Sequence, residues 1–128
     1  MKMLQRVLYV EDEPDIQAIA QLALEMVGGF TVRICSSGAE AMAQAVGFAP
    51  DIILLDVMMP EMDGPTTFRA LRDQPELADI PVAFMTAKVQ PGEIAELKAL
   101  GALDVIAKPF DPMTLADEVR NIWEHHHG

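Results

Sequence analysis

The residues of this sequence that could do chemistry share one position: each stands at or just after the end of a short apolar run. They are Glu11, Asp12, Asp56, Thr86 and Lys108. If they converge in space, the three carboxylates repel one another and have raised pKa values unless a cation compensates for their charge. Oxygen ligands of this kind suit Mg²⁺. A lysine ammonium and a hydroxyl beside them supply the groups that stabilise a phosphoryl group moving onto a carboxylate.

Each of these residues also has a purely structural interpretation. Asp56 could be a hydrogen-bonded group at a strand end, and Asp12 could cap a helix ahead of Pro14. Thr86 could be a turn residue, and Lys108 a solvated surface lysine. Their coincidence at the ends of four separate runs favours the functional interpretation, because the carboxyl ends of parallel strands share one edge of the sheet.

The apolar runs predict five short strands. They cover residues 7–10, 31–34, 52–55, 80–85 and 103–107. The third run is apolar at every position, which is typical of a strand buried on both faces of a parallel sheet. Cys35, the one cysteine of the sequence, follows the second run and is predicted to be a small core residue. A single cysteine excludes a disulfide framework and a multi-cysteine metal site.

Stretches with helical spacing follow the five runs and begin near Pro14, Ser37, Pro65, Pro91 and Asp111. Asp111 is predicted to cap the last helix, with Pro112 in its first turn. The residues predicted to face the core are Ile16, Ile19, Ala20, Ala23, Leu24 and Val27, then Ala39, Met42, Ala43 and Val46, then Phe68 and Leu71, then Ile94, Leu97 and Leu100, and finally Leu115, Val119 and Ile122. The fourth helix has the weakest apolar stripe. The alternation predicts one α/β domain with right-handed crossovers and helices on both faces of a parallel sheet.

Composition limits the classes of protein that this sequence can encode. Hydrophobic residues make up 51% of it, which excludes disorder. The net charge of −11 repels phosphate backbones, so we expect no direct binding of nucleic acid, although cations and basic proteins remain possible partners. No apolar run has membrane-spanning length and no signal peptide is present, so we expect a cytoplasmic protein. We assign residues 1–124 to the domain and predict that residues 125–128 are a tag remnant.

The sequence closely resembles the receiver domains of two-component response regulators, the CheY-like family. The matching segments are VLYVEDEPDI (7–16), PDIILLDVMMPEMDG (50–64), FMTA (84–87) and GALDVIAKPF (101–110). The resemblance implies a doubly wound five-stranded parallel sheet in the order 2-1-3-4-5 with five helices. It also implies a signalling protein that catalyses only its own phosphorylation and dephosphorylation. No DNA-binding or catalytic segment is recognisable, so we expect a stand-alone receiver that is a monomer or weak dimer.

The resemblance further implies roles for single residues. Asp56 is expected to accept phosphate from a histidine kinase or phosphotransfer protein. Thr86 and Lys108 are expected to bind the phosphoryl oxygens, and the Lys108–Pro109 bond is expected to be cis. Mg²⁺ is expected to be held by Glu11, Asp12, Asp56 and the backbone carbonyl of Met58.

Three positions are expected to modulate the signal. Many receivers have an aromatic residue three positions before the lysine, but this sequence has Val105, whose β-branched side chain cannot swing as a ring does. We therefore expect the signal to pass through Thr86 and the following loop to the fourth helix. That helix, the last strand and the last helix form the expected face for a downstream partner. Met58 and Lys88 are placed to influence hydrolysis of the phosphoryl group, and neither can orient an attacking water.

Other functions fit the sequence less well. A haloacid-dehalogenase-type phosphatase needs a second aspartate two residues after the nucleophile, where this chain has Met58. A flavin-binding protein of the flavodoxin type needs phosphate-binding loops, which the acidic loops oppose. The remaining alternative is an unphosphorylated pseudo-receiver that acts only as a protein-binding module. Such receivers usually lose the aspartate, the lysine or the acidic pair, and all are present here.

Overall fold

The computed structural model of the protein describes residues 3–127, and side chains through residue 125. Its five parallel strands lie in the order β2-β1-β3-β4-β5, which confirms the predicted fold class. The strands are β1 Arg6–Val10, β2 Thr31–Cys35, β3 Ile52–Asp56, β4 Val82–Thr86 and β5 Asp104–Ala107. The helices are α1 Pro14–Leu22, α2 Gly38–Phe48, α3 Gly64–Arg72, α4 Pro91–Ala99 and α5 Leu115–His127.

The sheet separates two apolar layers. Val7 and Tyr9 on β1 face a layer formed with α1 and α5, whereas Leu8 and Val10 face a layer formed with α2, α3 and α4. All residues of 52–55 are fully buried, as the continuous apolar run predicts. Cys35 is buried in the second layer. None of the helices in residues 3–127 is long and apolar enough to cross a membrane.

The inner face of α1 differs from the prediction at Ile19 and Val27, which are 46% and 49% exposed. Residues Ala23–Val27 form a π-helical turn at the end of α1. A π-helical turn holds more residues than an α-helical one, so the following side chains rotate away from the positions that a period of 3.6 predicts. Val27 therefore faces outward. Ile19 lies at the margin of the stripe, because the close contact with the sheet is made by the neighbouring alanine Ala20.

The predicted inner face of α2 is wrong. Ala39, Ala43 and Val46 are exposed and Met42 is only partly buried. The buried residues are Gly38, Ala41, Ala45 and Phe48. Almost every residue of this helix is small or apolar, so two of its faces fit helical spacing equally well. The buried face is the one that carries the largest side chain, Phe48, and lets the start of α2 approach Thr67 at Gly38.

The later helices largely follow the prediction. The predicted residues of α3 and α5 are buried, but in α4 only Leu97 is, while Ile94 and Leu100 are half-buried. The start of α5 is a correction, because the helix begins at Leu115. Asp111 instead organises the preceding turn, since its carbonyl accepts from the Leu115 N–H and its carboxylate from the Met113 N–H. The predicted tag remnant at 125–128 lies partly outside the described residues.

Gly64 is a position where a side chain cannot fit. A Cβ there would lie 2.5 Å from the Asp56 carbonyl oxygen and 2.8 Å from the Val57 Cα, both backbone atoms. We expect Gly64→Ala to lower the free energy of unfolding by about 1–3 kcal/mol, because the backbone below Asp56 must move. Gly47→Ala is the matched control, since a Cβ there meets open space and should stabilise α2 by about 0.5–1 kcal/mol. Urea unfolding of both variants decides; equal effects would contradict the proposed close approach.

Candidate functional site

The carboxyl ends of four strands bring the sequence-predicted polar residues to one edge of the sheet. Asp56 and Thr86 are the last residues of β3 and β4, and Lys108 follows β5. Glu11 extends β1 by one residue, since its N–H donates to the Cys35 carbonyl at 2.9 Å. Asp12 follows it in the loop to α1. Residues far apart in the sequence thus share one site because of the strand order.

The three acids form a cluster that could hold a metal ion. One carboxylate oxygen from each of Glu11, Asp12 and Asp56 lies within 4.8 Å of the others. Glu11 is fully buried and Asp56 is 3% exposed, whereas Asp12 is half-buried and open to solvent. An all-oxygen set with access to water fits Mg²⁺, which keeps several waters. The donor set of these residues is therefore compatible with that ion.

Lys108 is the cation in direct contact with this cluster among the described residues. Its Nζ atom lies 2.7 Å from Glu11 Oε1 and 3.3 Å from Asp56 Oδ2. The backbone N–H of Lys108 donates to the Thr86 carbonyl at 2.9 Å, which fixes the start of the loop after β5 beside β4. The Lys108–Pro109 peptide bond is cis, as the family resemblance implies. The lysine thus links the ends of β1, β3 and β5.

The pKa values of Asp56 and Lys108 are shifted by their surroundings. Burial, followed by the negative charge of Glu11, raises the pKa of Asp56 to about 6 from 3.8, although Lys108 acts in the opposite direction. Burial by itself lowers the pKa of the Lys108 ammonium, but its contacts with Glu11 and Asp56 outweigh burial, so that pKa is raised. At neutral pH the site therefore holds a charged lysine between acids. A further cation would stabilise the negative charge of these acids.

Thr86 is buried beside this cluster and connects it to the next loop. Its Oγ1 atom accepts a hydrogen bond from the Lys88 N–H at 3.0 Å. The side chains of Lys88 and Met58 are both exposed, Met58 by 66%. Val105 is half-buried against the layer that contains α4 and pairs with Phe84 in the sheet. These residues surround the site without belonging to the acidic cluster.

Two residues near the site were missed by reasoning from the sequence. The helical pattern of α1 gives no role to Gln17, but its carboxamide donates to the Glu11 carbonyl and, at 3.2 Å, to Ser36 Oγ. It therefore ties the acidic loop to the loop after β2. Tyr9 was counted only as part of an apolar run. Nothing in the sequence shows that either side chain turns toward the acids, although the position of Tyr9 two residues before Glu11 puts both on one face of β1.

Comparison with known proteins places this geometry in a family. The family model described as the response regulator receiver domain matches residues 7–120 of this chain. The solved chemotaxis response regulator CheY4 of Vibrio cholerae is similar with a TM-score of 0.86 and 32% identity, over 94% of this chain and 99% of that chain. The protein belongs to the response regulator receiver domain family, whose members are signalling modules of two-component systems.

Two curated relatives are longer than this chain. The DNA-binding dual master transcriptional regulator RpaA of Synechocystis is 37% identical over 115 residues, which are 90% of this chain and 47% of that protein. The response regulator PleD of Caulobacter vibrioides is 40% identical over 119 residues, which are 91% of this chain and 26% of that protein. The chain thus spans about half or less of the length of these curated relatives.

The burial of Asp56, followed by the negative charge of Glu11, predicts how stability depends on pH. The folded-state pKa of Asp56, about 6, lies above its value of 3.8 in an unfolded chain. The folded state therefore binds this proton more tightly, and the contribution of Asp56 to stability falls as pH rises from about 4 to 6. We expect Asp56→Asn to stabilise the metal-free protein by about 1 kcal/mol at pH 7.5, and this gain should vanish at pH 4.

Thermal unfolding with and without Mg²⁺ tests this expectation. Mg²⁺ should raise the melting temperature of the wild type by mass action, and should do so less in Asp56→Asn. Glu96→Gln, which neutralises an exposed acid on α4, is the control for a general reduction of net charge. If Glu96→Gln and Asp56→Asn have the same effect at every pH, the three acids do not act as one site.

Proposed function

We propose that the protein is a phosphoacceptor receiver that takes a phosphoryl group from a histidine kinase or phosphotransfer protein onto Asp56. The proposal is supported above all by the contact of Lys108 with both Glu11 and Asp56 beside a third acid at the strand ends. That arrangement combines an acidic nucleophile with the positive charge that phosphoryl transfer requires. Phosphorylation would then alter the surface that a partner protein reads.

The residues divide the chemistry among them. A carboxylate oxygen of Asp56 attacks the phosphorus, the bond from phosphorus to the donor nitrogen or oxygen breaks, and the electron pair leaves with the donor. The Lys108 ammonium and the Thr86 hydroxyl would donate hydrogen bonds to the transferred oxygens. Glu11, Asp12, Asp56 and the Met58 carbonyl would hold Mg²⁺. The ion would supply positive charge that neutralises the oxygens of the transferred group.

The protonation state of Asp56 agrees with this role. A nucleophilic carboxylate must be ionised, and a pKa of about 6 in the metal-free site leaves most of it ionised at neutral pH. Additional positive charge beside the acids lowers that pKa further. Burial limits the contact of the nucleophile with bulk water, since Asp56 is almost fully buried, whereas Asp12 beside it is half-buried.

The competing function is a pseudo-receiver that binds a partner without being phosphorylated. It requires no lysine beside the aspartate, and here Lys108 is held against it at 3.3 Å. A direct role in nucleic-acid binding is also not proposed, because the net charge of −11 opposes contact with phosphates. The DNA-binding function named for RpaA belongs to a protein about twice as long as the matched region.

A small phosphodonor tests the proposed role of Asp56. Acetyl phosphate with Mg²⁺ should add one phosphoryl group to the wild type, because the receiver supplies its own catalytic groups. Asp56→Asn should not be labelled, and EDTA should prevent labelling of the wild type. Asp63→Asn, an acid that caps α3 outside the cluster, is the control and should be labelled normally. Labelling that persists in Asp56→Asn, measured by intact-protein mass spectrometry, would refute the assignment.

The lifetime of the phosphoryl group should be long. Hydrolysis requires a water in line with the phosphorus, and neither the thioether of Met58 nor the ammonium of Lys88 can accept a proton from it. The double variant Met58→Asn with Lys88→Glu should therefore lose phosphate about tenfold faster. The same changes away from the site, Met26→Asn with Lys98→Glu, should leave the decay unchanged. The decay after removal of the donor is the measurement, and equal rates in all three proteins would exclude control by these positions.

The downstream surface is proposed to lie on α4, β5 and α5. Thr86 is hydrogen-bonded to the loop that leads into α4, and α4 has a single buried residue, Leu97, so little packing resists its movement. Amide hydrogen exchange should therefore change most between residues 86 and 100 when Asp56 is phosphorylated. Changes restricted to α1 and α2 would show that the signal takes another route than Thr86.

A further inference from the structure

The carboxamide of Gln17 is a hydrogen-bonding group that the proposed function does not use. Gln17 is half-buried near the start of α1, where its backbone N–H donates to the Glu13 carbonyl at 2.9 Å. Its side-chain nitrogen donates to the Glu11 carbonyl and, at 3.2 Å, to Ser36 Oγ. A backbone carbonyl can only accept, so the nitrogen and not the oxygen of the carboxamide faces Glu11. Both N–H groups of the carboxamide are therefore in use.

The Glu11 carbonyl needs this donor because the sheet ends beside it. The Glu11 N–H still donates to the Cys35 carbonyl, in the pattern of the parallel ladder between β1 and β2. If the ladder continued, the N–H of Ser37 would donate to the Glu11 carbonyl. However, β2 ends at Cys35, and Ser37 caps α2, with its Oγ accepting from the Glu40 N–H at 3.1 Å. The Gln17 carboxamide therefore replaces the donor that the ladder no longer provides to a buried residue.

The carbonyl that Gln17 holds belongs to the peptide group between two of the three clustered acids. The Glu11 carbonyl and the Asp12 N–H share one rigid plane, so a hydrogen bond to this carbonyl limits rotation of the whole peptide group. Rotation of that plane changes ψ of Glu11 and φ of Asp12, and the backbone angles determine which directions the two side chains can take. Because the carboxamide also binds Ser36, the two acids are held from α1 and from the loop after β2.

We propose that Gln17 is a positioning residue that makes the acidic cluster selective for Mg²⁺ over Ca²⁺. The proposal rests on the proposed function, in which Glu11, Asp12 and Asp56 hold Mg²⁺. Mg²⁺ demands nearly ideal octahedral geometry, whereas Ca²⁺ is larger and accepts more oxygen ligands in variable geometry. A loop that fixes the directions of two carboxylates favours the ion with the stricter geometry. Gln17 acts through the peptide group between Glu11 and Asp12 and is not itself a ligand.

Loss of the carboxamide should change the ratio of the affinities for the two ions. Gln17→Met keeps the length and helix propensity of the side chain but has no donor. Its affinity for Mg²⁺, measured by titration of the backbone amide resonances, should fall about tenfold, as is typical when a group that orients metal ligands is lost. Its affinity for Ca²⁺ should fall much less. Gln21→Met is the matched control and should change neither affinity, because the Gln21 carboxamide donates to Glu25 Oε2 near the other end of α1.

A second variant and a second measurement make the test independent of any one result. Ser36→Ala removes one of the two acceptors and should shift the ratio in the same direction by a smaller factor, which decides the matter if Gln17→Met does not fold. Without any metal, the Asp12 amide of Gln17→Met should show exchange broadening on the μs–ms timescale in relaxation-dispersion spectra, because its peptide plane is then free to rotate. The wild type and Gln21→Met should lack this broadening.

The outcomes separate this inference from the proposed function. If the wild type binds no Mg²⁺ at the acidic cluster, the proposed cation site is overturned and this inference falls with it. If the wild type binds Mg²⁺ but Gln17→Met loses affinity for both ions equally, or for neither, only the inference is overturned. An equal loss would show that Gln17 merely stabilises the loop. An Asp12 amide that is as rigid in Gln17→Met as in the wild type would likewise contradict a role in positioning.

Discussion

The contact of the Lys108 ammonium with Glu11 and Asp56 is the interaction on which the site depends. Two acids that are almost fully buried at the same sheet edge repel each other, and their burial alone costs free energy. The Lys108 ammonium, at 2.7 Å from Glu11 and 3.3 Å from Asp56, offsets part of this cost but does not neutralise the negative charge of the three acids. The remaining negative charge attracts a further cation, including one that arrives with a phosphoryl donor. The same lysine therefore serves the fold and, as proposed, the chemistry.

The rest of the chain holds these charges together. The order of the strands places the end of β1 beside the end of β3, and the backbone at Gly64 packs directly beneath Asp56. Gln17 secures the loop that carries Asp12, and Thr86 joins the site to the loop before α4 through the Lys88 N–H. These hydrogen bonds form the route by which, as proposed, a change in the charge at Asp56 would reach the weakly packed helix α4.

Much of this could be predicted from the sequence, for identifiable reasons. Buried parallel strands appear as unbroken apolar runs, so the strands, and with the family resemblance their order, were predicted and are confirmed. The structure brings the predicted acids and Lys108 together, while their catalytic roles remain predictions. The predicted buried face of α2 was wrong because the small residues of this helix fit two orientations. The predicted burial of Val27 was wrong because a π-helical turn shifts the helical period. The directions of Gln17 and Tyr9 depend on neighbours from other elements, which spacing alone does not reveal.

The most direct measurement of the central claim is the position of a divalent ion in crystals soaked with Mn²⁺, which accepts the same octahedral oxygen ligands as Mg²⁺ and scatters anomalously. Our account predicts one strong anomalous peak in contact with the carboxylates of Glu11, Asp12 and Asp56 and the carbonyl of Met58. The peak should be absent in crystals of Asp56→Asn at the same concentration of Mn²⁺. A peak at another place, or one that persists unchanged in Asp56→Asn, would contradict the claim that these acids form one cation-dependent site.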